Sequence, residues 1–143
     1  MDDQSSRVRV EMSNTPKMVI GSGGSQEWYV DGVIHRADGP AVTMPTGEEL
    51  WYYNGKRHRD GGPAFLSPAG DEEWWQMGSL HRRDGPAVTW SDGSTMWYIH
   101  GQLHRLDGPA ISFKNNGAHK YFIFGDKYEV TEWLLKVYEL GLK

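Results

Sequence analysis

The feature that most constrains this chain is a seven-residue segment that recurs four times at a fixed interval of 23 residues. The copies have the form His-Arg-x-Asp-Gly-Pro-Ala, and they begin at His35, His58, His81 and His104. A fixed period in this range predicts a repeat architecture, in which each unit buries its apolar side only against its neighbours. A residue that every unit carries is therefore expected, first of all, to build the unit.

Composition excludes several classes of function. The net charge of -4 over 143 residues disfavours a general nucleic-acid binder, which needs an excess of basic residues. The absence of cysteine excludes disulfides, thiolate nucleophiles and cysteine-ligated metals. The first residues are polar, and no apolar run approaches the ~20 residues of a membrane span. We therefore expect a soluble, cytoplasmic protein that is rich in β-structure.

The repeated unit extends beyond the seven-residue segment, because a pair of aromatic residues precedes each copy at constant spacing. The first aromatics, which we interpret as structural, are Trp28, Trp51, Trp74 and Trp97. The second aromatics are Tyr29, Tyr52, Trp75 and Tyr98. A fifth, partial unit has Tyr121 and Phe122 at these places and loses the His-Arg segment after Gly125.

The turn signals between the aromatic pair and the histidine predict a β-hairpin in every unit. Asn54-Gly55 is a strong two-residue hairpin signal, and Asp31-Gly32 holds the same place in the first unit. A two-residue turn aligns Trp28 with His35, and the same count aligns Trp51, Trp74 and Trp97 with His58, His81 and His104. We therefore expect an imidazole beside an indole in each hairpin.

The predicted fold is mainly β: an antiparallel meander of tandem 23-residue hairpin repeats, forming one elongated sheet, with a C-terminal capping helix. Asp-Gly-Pro is expected to kink the second strand of each hairpin, since proline cannot donate to a ladder. We divide the chain into 1–23 with candidate strands at 7–11 and 18–20, the repeats over 24–125, and the cap over 126–143. Thr131 is the expected N-cap of the helix, and Gly141 its expected end.

The aromatic strand, the Asn54-Gly55-Lys56 turn and the histidine that follows it resemble the MORN repeat. The His-Arg-x-Asp-Gly-Pro-Ala form resembles a variant found in uncharacterised proteins of bacteriophages and other large DNA viruses. The resemblance covers 24–125 and implies a β-hairpin repeat fold. By analogy it also implies a small phage accessory or anti-defence factor, or the membrane and scaffolding roles of MORN proteins.

The four repeat histidines, His35, His58, His81 and His104, are interpreted as structural. Neighbouring hairpins of a meander place them about two strands, or ~10 Å, apart. One metal ion binds imidazole nitrogens at about 2.0–2.1 Å and cannot span such a row. No Ser-His-Asp pattern or phosphate-binding glycine loop is present, so we predict no catalytic residue, no metal and no cofactor.

The repeat arginines, Arg36, Arg59, Arg82 and Arg105, leave two interpretations open. Each can pair with the aspartate of its own corner, although Gly61 deprives Arg59 of that carboxylate. Alternatively, the guanidinium groups and aromatic faces bind phosphate. Three cations outside the pattern, Lys56, Arg57 and Arg83, favour a ligand site. Acidic turns at 48–49 and 71–73 give the two central units charge of opposite sign at their two ends.

We expect a non-enzymatic binding protein, since Trp, Tyr and Arg are enriched at interaction hot spots. The favoured hypothesis is that it binds and inhibits a host protein. One alternative is a sponge for a phosphate-bearing cyclic or linear nucleotide, and another is a membrane-associated scaffold, which the acidic balance disfavours. Homo-oligomerisation through exposed aromatic residues is a further alternative. The candidate contact residues are Lys56, Arg57, Arg59, Arg82, Arg83, Trp75, Tyr52 and Tyr98.

Overall fold

The computed structural model describes residues 14–141, so the candidate strand at 7–11 lies outside the described residues. Across the described part runs a 12-stranded antiparallel sheet whose strands follow one another in chain order. Its strands, in spatial order, are β1 (Lys17–Ile20), β2 (Gln26–Val30), β4 (Val42–Thr43), β5 (Glu49–Leu50), β8 (Phe65–Leu66), β9 (Glu72–Glu73), β12 (Val88–Thr89), β13 (Thr95–Met96), β16 (Ile111–Ser112), β17 (His119–Ile123) and β18 (Asp126–Tyr128), with β3 (Val33–Ile34) paired to β2. This confirms the predicted antiparallel meander, and β1 contains the candidate strand at 18–20.

Short hairpins form a second row beside the long sheet. In the second, third and fourth units they are two-stranded: β6 (Tyr52–Tyr53) with β7 (Lys56–Arg57), β10 (Trp75–Gln76) with β11 (Ser79–Leu80), and β14 (Tyr98–Ile99) with β15 (Gln102–Leu103). The repeat tryptophan lies between the sheet strand and the hairpin strand, as Trp51 does between β5 and β6. Backbone bonds then join each hairpin to the next, since Arg36 N–H donates to the carbonyl oxygen of Tyr52 at 3.1 Å.

The predicted hairpin register is confirmed. Tyr29 lies opposite Ile34, and the backbone N–H of His35 donates to the carbonyl oxygen of Trp28 at 3.0 Å. The turn residues Asn54 and Gly55 both have left-handed backbones, with φ of 48° and 79°. Two consecutive positive φ angles are the requirement of the type I′ turn, which matches the twist of the flanking strands.

The described residues bury their apolar side chains mainly at the joints between units. The alanine that ends each motif copy has no exposed surface: Ala41, Ala64, Ala87 and Ala110. Its carbonyl oxygen accepts the backbone N–H of the repeat tryptophan, for example from Trp51 to Ala64 at 2.7 Å. A side chain larger than alanine would overfill this position.

A C-terminal helix, α1 (Val130–Glu139), covers the last unit. Its buried residues Trp133 and Val137 pack on Ile123, and the ring of Trp133 lies 4.9 Å from that of Tyr121. The expected N-cap was wrong: Glu129 holds that position with an extended backbone and no side-chain cap bond, so Thr131 is the second helical residue. The expected end is confirmed, because Gly141 has φ of 77° and donates to the carbonyl oxygen of Tyr138.

Candidate functional site

The repeat arginine stacks on the repeat tryptophan of its own unit. The guanidinium carbon lies 3.9 Å from the ring centre of Trp51 for Arg59, and 3.9 Å from that of Trp74 for Arg82. The first and fourth units repeat the contact at 4.5 Å and 4.0 Å. This cation–π contact, present in all four full units, supports the structural interpretation of the arginine row.

Hydrogen bonds fix the same guanidinium to its own corner. Arg82 donates from Nε to Asp84 at 3.1 Å and from Nη1 to the carbonyl oxygen of Pro86 at 3.3 Å. Glycine is required beneath it, since a Cβ atom built on Gly85 would lie 2.8 Å from the guanidinium carbon of Arg82. The pairing of arginine with the aspartate of its own corner therefore follows the sequence prediction.

The repeat histidine joins one unit to the next. Nδ1 of His81 accepts the backbone N–H of His100 at 2.9 Å, and the two rings lie 4.3 Å apart. The other three do the same: His35 accepts from Asn54 at 2.8 Å, His58 from Met77 at 3.0 Å and His104 from Phe124 at 2.9 Å. The histidine is thus opposite the tryptophan along the backbone, as predicted. Its ring, however, serves the following turn, because arginine occupies the indole face.

A first candidate site, which we call the Arg57 cluster, lies in the second and third units and consists of Tyr52, Arg57, Phe65, Glu73 and Trp75. The guanidinium carbon of Arg57 lies 5.5 Å from the ring centre of Tyr52, 5.3 Å from that of Trp75 and 6.0 Å from that of Phe65. Nη2 of Arg57 donates to the hydroxyl of Tyr52 at 3.1 Å. One cation is therefore held among three aromatic rings.

Glu73 gives this cluster its second charge. Its Oε2 accepts from the indole Nε1 of Trp75 at 2.8 Å and lies 3.6 Å from Nη1 of Arg57. The Glu73 side chain is only 19% exposed, so it is not a solvated carboxylate of an acidic turn. Sequence reasoning missed its role. A signal was present, because Glu73 is two residues from Trp75, and alternate residues of a strand share a face.

The charged pair Arg57–Glu73 stands where the equivalent pairs, Ile34 with Leu50 and Leu80 with Met96, are apolar. Taken singly, the Glu73 position is also acidic in the first unit, as Glu27, and the Arg57 position is basic in the partial fifth unit, as Lys127. Tyr98, half-buried, holds the position of Tyr52 and Trp75 in the next unit, and burial raises its pKa. The row of second aromatics therefore continues beyond the cluster.

The structure does not bring the off-pattern cations together. Lys56 is exposed on β7, and Arg83 lies in the loop after His81, where it lines a different cavity from the surroundings of Arg57. That cavity contacts Trp74, whereas Arg57 contacts Trp75, and successive residues of an extended chain point to opposite sides. Arg57 and Arg83 therefore do not line a single groove.

A second candidate site, the inter-loop cavity, lies between the His-Arg loops of the second and third units and has a volume of about 400 Å³. Its lining residues are Gly61, Trp74, Gln76, His81, Arg82, Arg83, Asp84 and His100. The equivalent gap between the first and second loops, which contains Trp51, His58 and Asp60, measures about 250 Å³. Asp60 approaches Nε2 of His58 at 3.3 Å there. The gap between the second and third loops is therefore the larger of these two.

Within residues 14–141, no group of three or more His, Asp or Glu side chains is arranged to hold a metal ion. No helix in the same range is long and apolar enough to cross a membrane. No protein-family model matches the chain, and no curated protein matches it.

Proposed function

We propose that this protein is a non-enzymatic binding protein whose Arg57 cluster contacts another protein. The observation that carries the proposal is that the second and third units place a cation and a carboxylate where the neighbouring units mostly place aliphatic residues. A residue that breaks a repeat pattern is not required to build the repeat.

The composition of the cluster suits a protein interface. Arginine, tryptophan and tyrosine are the residues most enriched among interface hot spots, and here Arg57 lies against both Tyr52 and Trp75. Arg57 and Glu73 are already held in place by Tyr52 and Trp75, so little side-chain freedom is lost on association. The expected phage origin would make the partner a host protein, which this contact would inhibit.

The test is a charge-neutral double variant, Arg57→Leu with Glu73→Leu, which restores residues that the repeat already uses at Leu80 and Leu50. We expect stability to change by less than about 1 kcal/mol or to rise, since replacing a partly buried ion pair by apolar residues is often neutral or stabilising. Affinity capture from a lysate of the host cell should retain a protein on the wild type and lose it on the double variant.

Glu27→Leu is the matched control, because Glu27 holds the position of Glu73 in the first unit and lies outside the cluster. It should retain the captured protein. Equal capture by the wild type and the double variant would show that the cluster is not the contact surface.

A further inference from the structure

Three departures from the repeat pattern converge on the inter-loop cavity, although they lie in three different units. Gly61 stands where the other copies have Asp38, Asp84 and Asp107. Arg83 stands where they have Ala37, Asp60 and Leu106. The turn residue His100 corresponds to Asp31, Asn54, Met77 and Phe124. All three line one cavity, and together they remove a carboxylate and add a guanidinium and an imidazole.

The cavity contains a hydrogen-bond donor, Nε2–H of His81, with no acceptor among the described residues. Because Nδ1 of His81 accepts from the backbone N–H of His100, the neutral imidazole carries its proton on Nε2. Among residues 14–141, no acceptor lies on this Nε2 atom. In the second unit, Oδ1 of Asp60 approaches the same nitrogen of His58 at 3.3 Å. At the position of Asp60, the third unit has Arg83 instead, so the described residues supply no carboxylate to His81, and water or a bound ligand can take that place.

One positive charge at the cavity has no ion-pair partner among the described residues. Arg82 is neutralised by Asp84 at 3.1 Å and is stacked on Trp74, so it is occupied. Arg83 is exposed and forms no ion pair within the described residues. In the first and fourth units, the residue two positions after the histidine is the uncharged Ala37 or Leu106. Among the four full copies, only the third has a second arginine, Arg83, at this position.

We propose that the inter-loop cavity binds the phosphate group of a small molecule, with His81 Nε2–H and the Arg83 guanidinium as its donors. A phosphate oxygen takes at His81 the place that the Asp60 carboxylate takes at His58. The guanidinium fork of Arg83 suits the remaining oxygens, since it pairs with phosphate in a bidentate manner. A volume of about 400 Å³ accommodates a phosphate together with part of the organic group that carries it.

Isothermal titration calorimetry with inorganic phosphate, adenosine 5′-monophosphate and adenosine tests this site on the full chain. We expect binding of adenosine monophosphate and no binding of adenosine. Equal affinity for inorganic phosphate would assign a free phosphate ion, and binding of the monophosphate alone would assign an organic phosphate. Binding of adenosine as tight as that of its monophosphate, or no binding of either phosphate compound, would overturn the proposal.

Two substitutions that other units already tolerate identify the residue. Arg83→Leu copies Leu106 and should weaken binding at least tenfold; Arg83→Asp copies Asp60, supplies His81 with an internal carboxylate and should abolish binding. Lys127→Leu, which removes one exposed positive charge on β18, is the control and should bind like the wild type. Wild-type affinity in Arg83→Leu would refute the site. The Arg57/Glu73 double variant should keep phosphate binding, so this site and the proposed protein contact fail independently.

Discussion

Six of the seven residues of the His-Arg-x-Asp-Gly-Pro-Ala copy have a physical task in the fold. Histidine accepts a backbone N–H from the next unit, and arginine covers the indole of its own unit. Aspartate and the proline carbonyl hold the guanidinium, glycine leaves room for it, and alanine is fully buried at the joint. Only the x position carries no such task. The residue at x is therefore free to differ, and it does: Ala37, Asp60, Arg83 and Leu106.

One hairpin turn contains a strained residue, Met77, and a single substitution should relieve the strain. Met77 has φ of 46°, a left-handed conformation that costs side chains with a Cβ roughly 1–2 kcal/mol and asparagine less. Met77→Asn places there the residue that the second unit uses at Asn54, and its backbone N–H can still donate to His58. We expect the free energy of unfolding, measured with urea, to rise by about 1 kcal/mol.

The reverse substitution, Asn54→Met, is the control for this prediction. Asn54 has nearly the same backbone, with φ of 48°, so methionine there should lower stability by a similar amount. If both substitutions shifted stability in the same direction, the turn backbone would not be the cause.

At the scale of elements, the hairpins are coupled by the repeat histidines, and this coupling requires a neutral imidazole. A protonated ring has two donors and no acceptor, so it cannot accept the backbone N–H of the next turn. Burial, together with the nearby charges of His100 and Arg83, lowers the pKa of His81, and burial lowers the pKa of His104. Both shifts favour the neutral ring in the folded chain.

The sign of the pH dependence follows from these lowered pKa values. An unfolded histidine takes up its proton near pH 6.5, whereas the folded ones do so only at lower pH. The stabilisation is therefore complete above about pH 6.5 and is lost as the pH falls through the lowered folded values. We expect the urea midpoint to decrease between pH 7.5 and pH 5.5.

Replacing both His81 and His104 by Gln should make that decrease smaller. The carboxylates that titrate abnormally, Glu27, Glu48 and Asp71, have lowered pKa values and stay ionised throughout this window. A midpoint that falls equally in the wild type and the double variant would assign the acid sensitivity to other groups.

The hairpin elements were largely predictable, because Asp31-Gly32 and Asn54-Gly55 set a local register that the structure reproduces. The side-chain partners were less so. Pairing along the backbone places His35 opposite Trp28. Which side chain covers the indole, however, depends on the kinked loop that follows, and in the structure it is the guanidinium of Arg36. The N-cap position failed for a similar reason: Thr131 has the right chemistry, but β18 already ends at Tyr128 and the helix begins at Val130, which leaves Glu129 as the N-cap.

The residues of the candidate sites were predictable from the sequence, but their positions relative to one another were not. Arg57 and Arg83 stand out in the sequence because the other full copies lack a cation at their positions. Their separation is visible only in the structure, where Arg57 lies against Trp75 and Arg83 lines a cavity with Trp74. Likewise, His100 reaches the cavity of the third loop from the turn of the fourth unit, through the bond that couples neighbours.

At the scale of the whole molecule, a chain of neighbour contacts should unfold from its ends, since each unit depends only on those beside it. Trp133→Ala removes the buried ring that covers Tyr121 and Ile123. We expect a local loss of about 3–5 kcal/mol, as for other buried tryptophans. Hydrogen exchange should accelerate at the amides of the last hairpin, including Gly125, while the amides of β2 keep their protection.

Leu134→Ala is the matched control, because Leu134 belongs to the same helix and is 56% exposed. It should leave the exchange rates nearly unchanged. Uniform acceleration across the sheet in Trp133→Ala would mean that the repeats unfold as one cooperative block.

The bond from each turn to the preceding histidine has a consequence for how such a chain can change through evolution. Duplication or loss of one unit's worth of codons leaves every junction chemically intact, because equivalent atoms meet at every boundary. Exchanging the order of units would likewise preserve the scaffold. The lining of the inter-loop cavity would not survive such an exchange, since Gly61, Arg83 and His100 meet there only when their three units follow one another in this order. To keep this cavity, descendants of the chain must retain the order of the units as well as their sequences.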